Sequence, residues 1–130
     1  MYTKTTRQIK ITVSPAYLAD QSNPPERHYV WAYTIQLENY GKETVQLLNR
    51  YWHITDANGG VQEVRGAGVV GEQPVLTPGN IYQYTSGAAL KTASGIMAGN
   101  YEMTTSEGER FLIEIPAFSL DSPDQVRRPN

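Results

Sequence analysis

A glycine-rich segment is the part of the chain whose residue spacing comes nearest to a known chemical motif. Gly66, Gly68 and Gly71 follow the pattern G-x-G-x-x-G, in which glycines let the backbone approach a pyrophosphate at the start of a helix. The required context is missing, because Glu72-Gln73-Pro74 follows at once and no alternation of strand and helix surrounds the segment. The glycines therefore predict either a tightly turned connection between strands or an anion-binding nest of backbone amides.

Two arginines could supply charge to such a nest. Arg65 directly precedes the first glycine, and Arg50 lies earlier in the chain. If the loop binds a small anion, such as a nucleotide or pyrophosphate, or a divalent metal, we expect the ligand-binding residues to be Arg50, Arg65, Gly66, Gly68 and Gly71. If the glycines serve backbone geometry alone, we expect at least one of them to adopt a positive φ.

The remaining polar residues do not form a catalytic pattern. The two histidines, His28 and His53, have no spacing that brings them together, and there is no Gly-x-Ser-x-Gly nucleophile turn. The carboxylates of the last hairpin alternate along the chain as on a solvated strand face; they are Glu102, Glu107, Glu109 and Glu114. We therefore predict no catalytic residues, no metal ligands, no cofactor and no enzymatic activity.

Composition narrows the class of protein further. The 130 residues fit one domain, and a formal net charge of -2 gives no basic stripe for nucleic acid. The absence of cysteine excludes thiolate catalysis and agrees with a reducing compartment. The first residues lack the apolar core of a signal peptide, and no apolar run is long enough to span a membrane. We expect a cytoplasmic protein that binds neither nucleic acid nor membrane.

Alternating hydrophobic residues predict strands from the beginning of the chain onward. A first strand covers Ile9–Val13 and should end at Ser14-Pro15, and the strongest alternation covers Tyr29–Leu37. In Val45–Thr55 the apolar parity changes midway, so either both faces are covered or a bulge shifts the register. The turn signal Asp56-Ala57-Asn58-Gly59-Gly60 then predicts a hairpin into a short strand.

The second half of the chain continues the same pattern. A strand is predicted at Ile81–Ser86, followed by a loop over Gly87–Gly99 with at most one short irregular strand. A last hairpin joins Tyr101–Thr105 to Phe111–Ile115 and should end at Pro116. With no helical periodicity anywhere, the sequence predicts an all-β domain, an immunoglobulin/fibronectin type III-like antiparallel sandwich of roughly seven to eight strands.

The predicted domain covers residues 1–118 and the predicted polar, flexible tail covers residues 119–130. Gly99-x-Tyr101 is typical of a tyrosine corner, whose hydroxyl bonds to nearby backbone, although an ordinary core position explains Tyr101 equally well. The predicted core consists of Tyr33, Ile35, Leu37, Trp52, Tyr101, Phe111 and Ile113.

Taken together, these segments resemble the ApaG family, with the similarity running from Ile9 to Phe118. The residues that carry it are Leu47-Leu48-Asn49-Arg50-Tyr51-Trp52-His53-Ile54-Thr55-Asp56, Gly60, Val64-Arg65-Gly66, Gly68-Val69-Val70-Gly71, Gln73-Pro74, Leu76, Pro78-Gly79, Tyr84-Thr85-Ser86-Gly87 and Gly99-x-Tyr101.

The resemblance implies a fibronectin type III-like sandwich, a link to cobalt and magnesium tolerance, and the protein-binding role of similar domains in eukaryotic F-box proteins. It also brings the suggestion of nucleotide or pyrophosphate binding at Gly66–Gly71. We predict a non-enzymatic binding module with an unidentified protein partner, itself a monomer or weak homodimer. The alternative is the anion or metal site at the glycine segment.

Overall fold

The computed structural model describes residues 1–123, which form nine β-strands and two short 3₁₀ turns at Ala19–Gln21 and Pro24–Glu26. The strands in chain order are β1 (Tyr2–Thr6), β2 (Ile9–Tyr17), β3 (Tyr29–Asn39), β4 (Val45–Asp56), β5 (Val61–Ala67), β6 (Val75–Leu76), β7 (Ile81–Leu90), β8 (Gly95–Thr105) and β9 (Arg110–Leu120). Within this described part, no helix has the length and apolar character needed to cross a bilayer.

The strands form two antiparallel sheets packed face to face. The first sheet has the order β1-β2-β3-β7 and the second has the order β5-β4-β8-β9, with the short β6 paired to the beginning of β4. The face-to-face packing follows from the hydrophobic alternation, since each sheet has one apolar face that must be buried against the other. The predicted immunoglobulin/fibronectin type III-like sandwich is confirmed.

The core lies between the two inner faces. In β2 the buried residues are Ile9, Ile11 and Val13, and Lys10 alternates to the outer face. An aromatic cluster fills the centre, where Trp52 of β4 makes edge-to-face contacts with Tyr33 and Phe118 at centroid distances of 5.3 and 5.9 Å.

The predicted core is confirmed for the residues that are buried, which are Tyr33, Ile35, Leu37, Trp52, Tyr101 and Ile113. Phe111, also predicted to lie in the core, is half-buried and packs against the buried residues rather than among them. The guanidinium group of Arg7 covers its ring at 4.1 Å from the centroid.

Two prolines do not end strands as the sequence predicts. β2 continues through Pro15, because β1 pairs with β2 only as far as Val13 and the missing N–H of Pro15 falls on an open edge. β9 continues through Pro116, because β9 is an edge strand whose pairing with β8 is interrupted there by a register shift. Proline is harmless wherever no ladder hydrogen bond is required.

The prediction of a loop over Gly87–Gly99 is wrong. β7 runs on to Leu90 and β8 begins at Gly95, so small residues extend both strands. Gly99 marks a close approach of two backbones rather than a turn, since a Cβ there would lie 2.1 Å from the carbonyl oxygen of Tyr51. In β4, a register shift between Leu47 and Asn49 accounts for the change of apolar parity, so the bulge alternative holds.

An unpredicted strand, β1, connects the beginning of the chain to the last strand. The hydroxyl groups of Tyr2 and Ser119 are hydrogen-bonded at 3.0 Å, and Lys4 forms an ion pair with Glu114. The first residues of the predicted tail, Ser119 and Leu120, belong to β9, and the rest of that prediction from residue 124 onward lies outside the described residues.

Candidate functional site

The glycine segment begins at the end of β5 and contains a two-residue hairpin turn. The amide of Val69 donates to the carbonyl of Glu72 at 2.8 Å, and the amide of Glu72 donates to the carbonyl of Val69 at 2.9 Å. The two central residues, Val70 and Gly71, have φ values of 43° and 80°. Positive φ at both positions is the geometry of a type I′ turn, which is unusual for a β-branched residue such as Val70.

Gly68 is fixed by close backbone packing. Its φ is 63°, and a Cβ at this position would lie 2.2 Å from the carbonyl oxygen of Glu72. Its amide donates to the carbonyl of Leu48 at 2.8 Å. The expectation that at least one glycine adopts a positive φ is confirmed, and the amides of Gly68, Val69 and Glu72 donate to backbone carbonyls rather than pointing toward a ligand site.

Arg50 lies on the inner side of β4, opposite Gly66 in the register of β4 and β5. Its Nη1 donates to the carbonyl oxygens of Ala67 and Gly68, both at 3.0 Å. Gly66 leaves room for this side chain, because a Cβ there would lie 2.8 Å from the guanidinium atoms. The structure thus brings Arg50 together with Gly66 and Gly68. The positively charged guanidinium group of Arg50 is hydrogen-bonded to carbonyl groups of the loop.

Arg65 lies on the opposite, outer face of the sheet, because neighbouring residues of a strand face opposite sides. Its guanidinium carbon is 4.5 Å from the centroid of the Tyr51 ring, and its Nη2 is 3.6 Å from a carboxylate oxygen of Glu63. The Tyr51 hydroxyl donates to Glu63 at 2.8 Å, and this hydrogen bond raises the pKa of Tyr51. The side chains of Arg65 and Arg50 therefore lie on opposite faces of the sheet, although both residues line one shallow hollow together with Gly66.

Tyr51 stands between two shallow hollows on the outer face of the second sheet. The larger hollow has a volume of about 490 Å³ and the smaller one about 420 Å³. We call this outer region the Tyr51 surface, defined by the residues that line the hollows: Lys4, Asn49, Arg50, Tyr51, His53, Arg65, Gly66, Ala67, Ala98, Gly99, Asn100, Glu102, Leu112, Glu114, Ile115 and Ala117.

From the sequence, Tyr51 is predicted only to lie in a strand, with no part in a binding site. The signal that could have found it is its position next to Trp52 beyond the bulge, which places Tyr51 on the outer face while Trp52 enters the core. A large aromatic residue on an outer strand face, with an arginine opposite it on the neighbouring strand, is a pattern typical of contact surfaces.

Two buried tyrosine hydroxyls meet between the sheets. Tyr84 and Tyr101 are hydrogen-bonded through their hydroxyl groups, and their exposed fractions are 7% and 0%. Burial raises the pKa of both groups, with Arg50 opposing the shift in each. The hydroxyl of Tyr101 thus bonds to a side chain rather than to the backbone, and the core interpretation of this residue holds in place of the tyrosine corner.

The raised pKa values predict a loss of stability in alkaline solution. Below about pH 10 these tyrosines are neutral in both states; above it only the unfolded chain releases their protons, so unfolding becomes easier as the pH rises. Each hydroxyl should contribute about 1.4 kcal/mol per pH unit to the decline. In urea denaturation between about pH 9 and pH 12, Tyr84→Phe should give a shallower decline. An identical decline in both proteins would contradict this prediction.

The histidine and carboxylate side chains of the described residues do not come together in a cluster that could hold a metal ion. His28 lies in a bridge with Asn23 just before β3, and His53 lies on the outer face of β4. Within residues 1–123, no three His, Asp or Glu side chains come close enough together to hold a metal ion. Nor does this part of the chain bring a serine or threonine hydroxyl into hydrogen bond with a histidine.

Comparison with known proteins places the chain among close relatives. The family model described as the ApaG domain (DUF525) matches residues 19–105. The chain is 61% identical to Protein ApaG of Rhodospirillum centenum and 60% identical to Protein ApaG of Brucella canis, in both cases over 130 residues and 100% of each chain. A crystal structure described as the ApaA protein of Bordetella pertussis superposes with a TM-score of 0.86, at 43% identity, covering 90% of this chain and 95% of the other.

Proposed function

The chain belongs to the ApaG family, and we propose that it acts as a non-enzymatic, cytoplasmic protein-binding module. The observation that carries the proposal is the Tyr51 surface, where a half-buried tyrosine stands between two hollows with the guanidinium group of Arg65 stacked on its ring. Tyrosine and arginine are the residue types that, with tryptophan, contribute most to protein–protein binding energy. Hollows on either side of them could accept side chains of a partner.

Neighbouring bonds hold this surface in a fixed arrangement. The Tyr51 hydroxyl is bonded to Glu63, and Asn49 Nδ2 donates to Glu102 at 2.7 Å. Glu102 also lies 3.7 Å from the guanidinium group of Arg110. Since a surface that is ordered before binding loses little conformational entropy on association, these contacts favour recognition of a partner.

The alternative function, anion binding at Gly66–Gly71, has less support from the geometry. The guanidinium group of Arg50 is bonded to the carbonyls of Ala67 and Gly68, and that of Arg65 lies on the other face of the sheet. An anion at the loop would therefore meet a guanidinium group that is already bonded to carbonyls, and the amides of Gly68, Val69 and Glu72 already have acceptors. We keep protein binding as the proposed function.

The proposal is tested by capture experiments with matched variants. Purified wild-type chain is used to isolate partners from native cytoplasm, which mass spectrometry identifies. Tyr51→Ala and Arg65→Ala should each weaken the binding of any specific partner by about tenfold or more, since alanine substitutions at the centre of an interface typically cost over 1 kcal/mol. Affinity is then measured with the purified partner by titration calorimetry.

Lys10→Ala is the matched control, because it also removes one positive charge but lies on the outer face of the first sheet. It should leave the affinity unchanged, and all three variants should melt as folded proteins. Equal binding by wild type, Tyr51→Ala and Arg65→Ala would rule out the Tyr51 surface as the contact region.

A further inference from the structure

Strand β7 is an edge strand that lacks the usual protection against pairing with another chain. It spans ten residues, Ile81–Leu90, with neither a charged side chain nor a proline. Its pairing with β3 runs without a register shift. Natural edge strands normally carry a charge, a proline or a bulge, because an unpaired ladder is a template for another strand.

The other outer strands carry such protection. β1 is only five residues long and contains Lys4; β5 contains Glu63 and Arg65. β9 contains charged residues as well as Pro116. Among the four edge strands described, β7 is thus the one without a charge, a proline or a short length to protect it. From this feature, which is independent of the Tyr51 surface, we infer that the chain forms a homodimer by antiparallel pairing of β7 with β7 of a second copy.

The hydrogen bonds between β3 and β7 show which backbone groups of β7 point away from β3 and are open to another strand. The amide of Asn39 donates to the carbonyl of Asn80 at 3.1 Å, one step beyond the pair Glu38–Ile81. Because hydrogen-bonded and non-bonded pairs alternate in an antiparallel ladder, the even-numbered residues of β7 bond to β3. The odd-numbered residues direct their N–H and C=O groups to the open edge, and all of them are exposed: Ile81, Gln83, Thr85, Gly87 and Ala89.

Within residues 1–123, these outward backbone groups have no protein partner: β7 pairs with β3 alone, and no loop or side chain bonds to them. A second β7 centred on Thr85 would satisfy them all. In that register Thr85 opposes Thr85, Gln83 opposes Gly87, and Ile81 opposes Ala89, so that every open residue faces another open residue.

The side chains of β7 are complementary to themselves in the same register. Large residues, IYQY, precede Thr85, and small residues, SGAA, follow it before Leu90 ends the strand. Antiparallel pairing about Thr85 therefore places Tyr82 opposite Ala88 and Tyr84 opposite Ser86 on the inner face. On the outer face, Ile81, which is 58% exposed, would lie beside Ala89 of the second copy. No like charges meet across the two-fold axis, and the two four-stranded sheets become one continuous sheet.

The first test measures the oligomeric state of the purified chain in solution. Wild-type chain at millimolar concentration should sediment as a dimer that dissociates on dilution. Thr85→Lys should weaken dimerisation by at least about tenfold, because like charges directly opposite on paired strands repel. Val61→Lys, at an exposed position on the β5 edge, should dimerise as the wild type does. Both variants alter exposed side chains and should keep the wild-type circular dichroism spectrum and melting temperature.

The register is tested by crosslinking, which the cysteine-free chain makes specific. Thr85→Cys should crosslink with a short bis-maleimide, because side chains directly opposite lie about 5 Å apart at Cβ. Gln83→Cys should not, because its copies would be about 13 Å apart along the strands. Arg65→Ala should dimerise normally, which separates this inference from the proposed function.

Three outcomes overturn the inference: a wild-type chain that stays monomeric at millimolar concentration, a dimer unaffected by Thr85→Lys, or equal crosslinking through Gln83→Cys and Thr85→Cys. If the natural occupant of the edge is an extended peptide of a different protein, the purified chain should stay monomeric, which is the first of these outcomes.

Discussion

Replacing Trp52 by alanine should lower the free energy of unfolding by about 3–5 kcal/mol, the range found for removing a buried large aromatic side chain. Trp52 is 3% exposed and contacts Tyr33 from the first sheet and Phe118 from β9. Its removal would leave a cavity between the sheets that these rings cannot fill without leaving their own contacts. Urea denaturation followed by circular dichroism measures the change.

Tyr40→Ala is the matched control, since Tyr40 is an aromatic residue with an exposed fraction of 62%. Its substitution should change stability by about 0.5 kcal/mol or less, as is usual at the surface. If Trp52→Ala and Tyr40→Ala gave the same denaturation midpoint, Trp52 would not be the centre of the core.

The second large effect is expected at Gly68. Gly68→Ala should cost about 2–5 kcal/mol, from two causes: the left-handed backbone, worth about 1–2 kcal/mol, and the overlap of a Cβ with the carbonyl oxygen of Glu72, worth about 1–3 kcal/mol. The overlap is with backbone at 2.2 Å, so no side-chain rotation relieves it. Thermal and chemical denaturation measure the loss.

Gly71→Ala separates the two causes. Gly71 also has a positive φ, of 80°, but no atom lies within 4 Å of the place where its Cβ would be. Gly71→Ala should therefore cost only the backbone part, about 1–2 kcal/mol. Equal losses for Gly68→Ala and Gly71→Ala would disprove the close packing of Gly68 against Glu72.

The same denaturation experiments address the alternative function. A ligand at a hundredfold excess over its dissociation constant would stabilise the native state by about 2.7 kcal/mol. We expect millimolar pyrophosphate to leave the melting temperature of the wild type unchanged. A pyrophosphate-dependent rise that is lost in Arg65→Ala would instead favour anion binding near the glycine segment.

The sequence was sufficient for the fold because hydrophobic alternation determines which face of each strand is buried. The alternation in Tyr29–Leu37 predicted β3, and the parity change in β4 indicated the bulge. The lengths of the strands were harder to predict from the sequence. Pro15 and Pro116 are compatible with strands only because their missing N–H groups fall on edges, and edge positions depend on which strands pair. Pairing is a long-range property that composition does not contain.

The candidate site illustrates the same limit. The spacing of Gly66, Gly68 and Gly71 suggested a ligand, and positive φ was correctly expected there. What the spacing could not show is that Arg50 and Arg65 face opposite sides of the sheet, because the bulge in β4 decides which side Arg50 takes. The Tyr51 surface arises from side chains on separate strands, so no local motif marks it.

The position of β9 as the last described strand has a consequence for biosynthesis. β9 follows every other described strand in the chain, yet it supplies Phe118 to the aromatic cluster and completes the sheet beside β8. A nascent chain that has already emerged through β8 still presents an uncovered apolar face and an unpaired strand. Contacts so distant in sequence make folding slow and leave such intermediates prone to aggregation. We therefore expect the growing polypeptide to be most prone to aggregation in the interval before β9 leaves the ribosome.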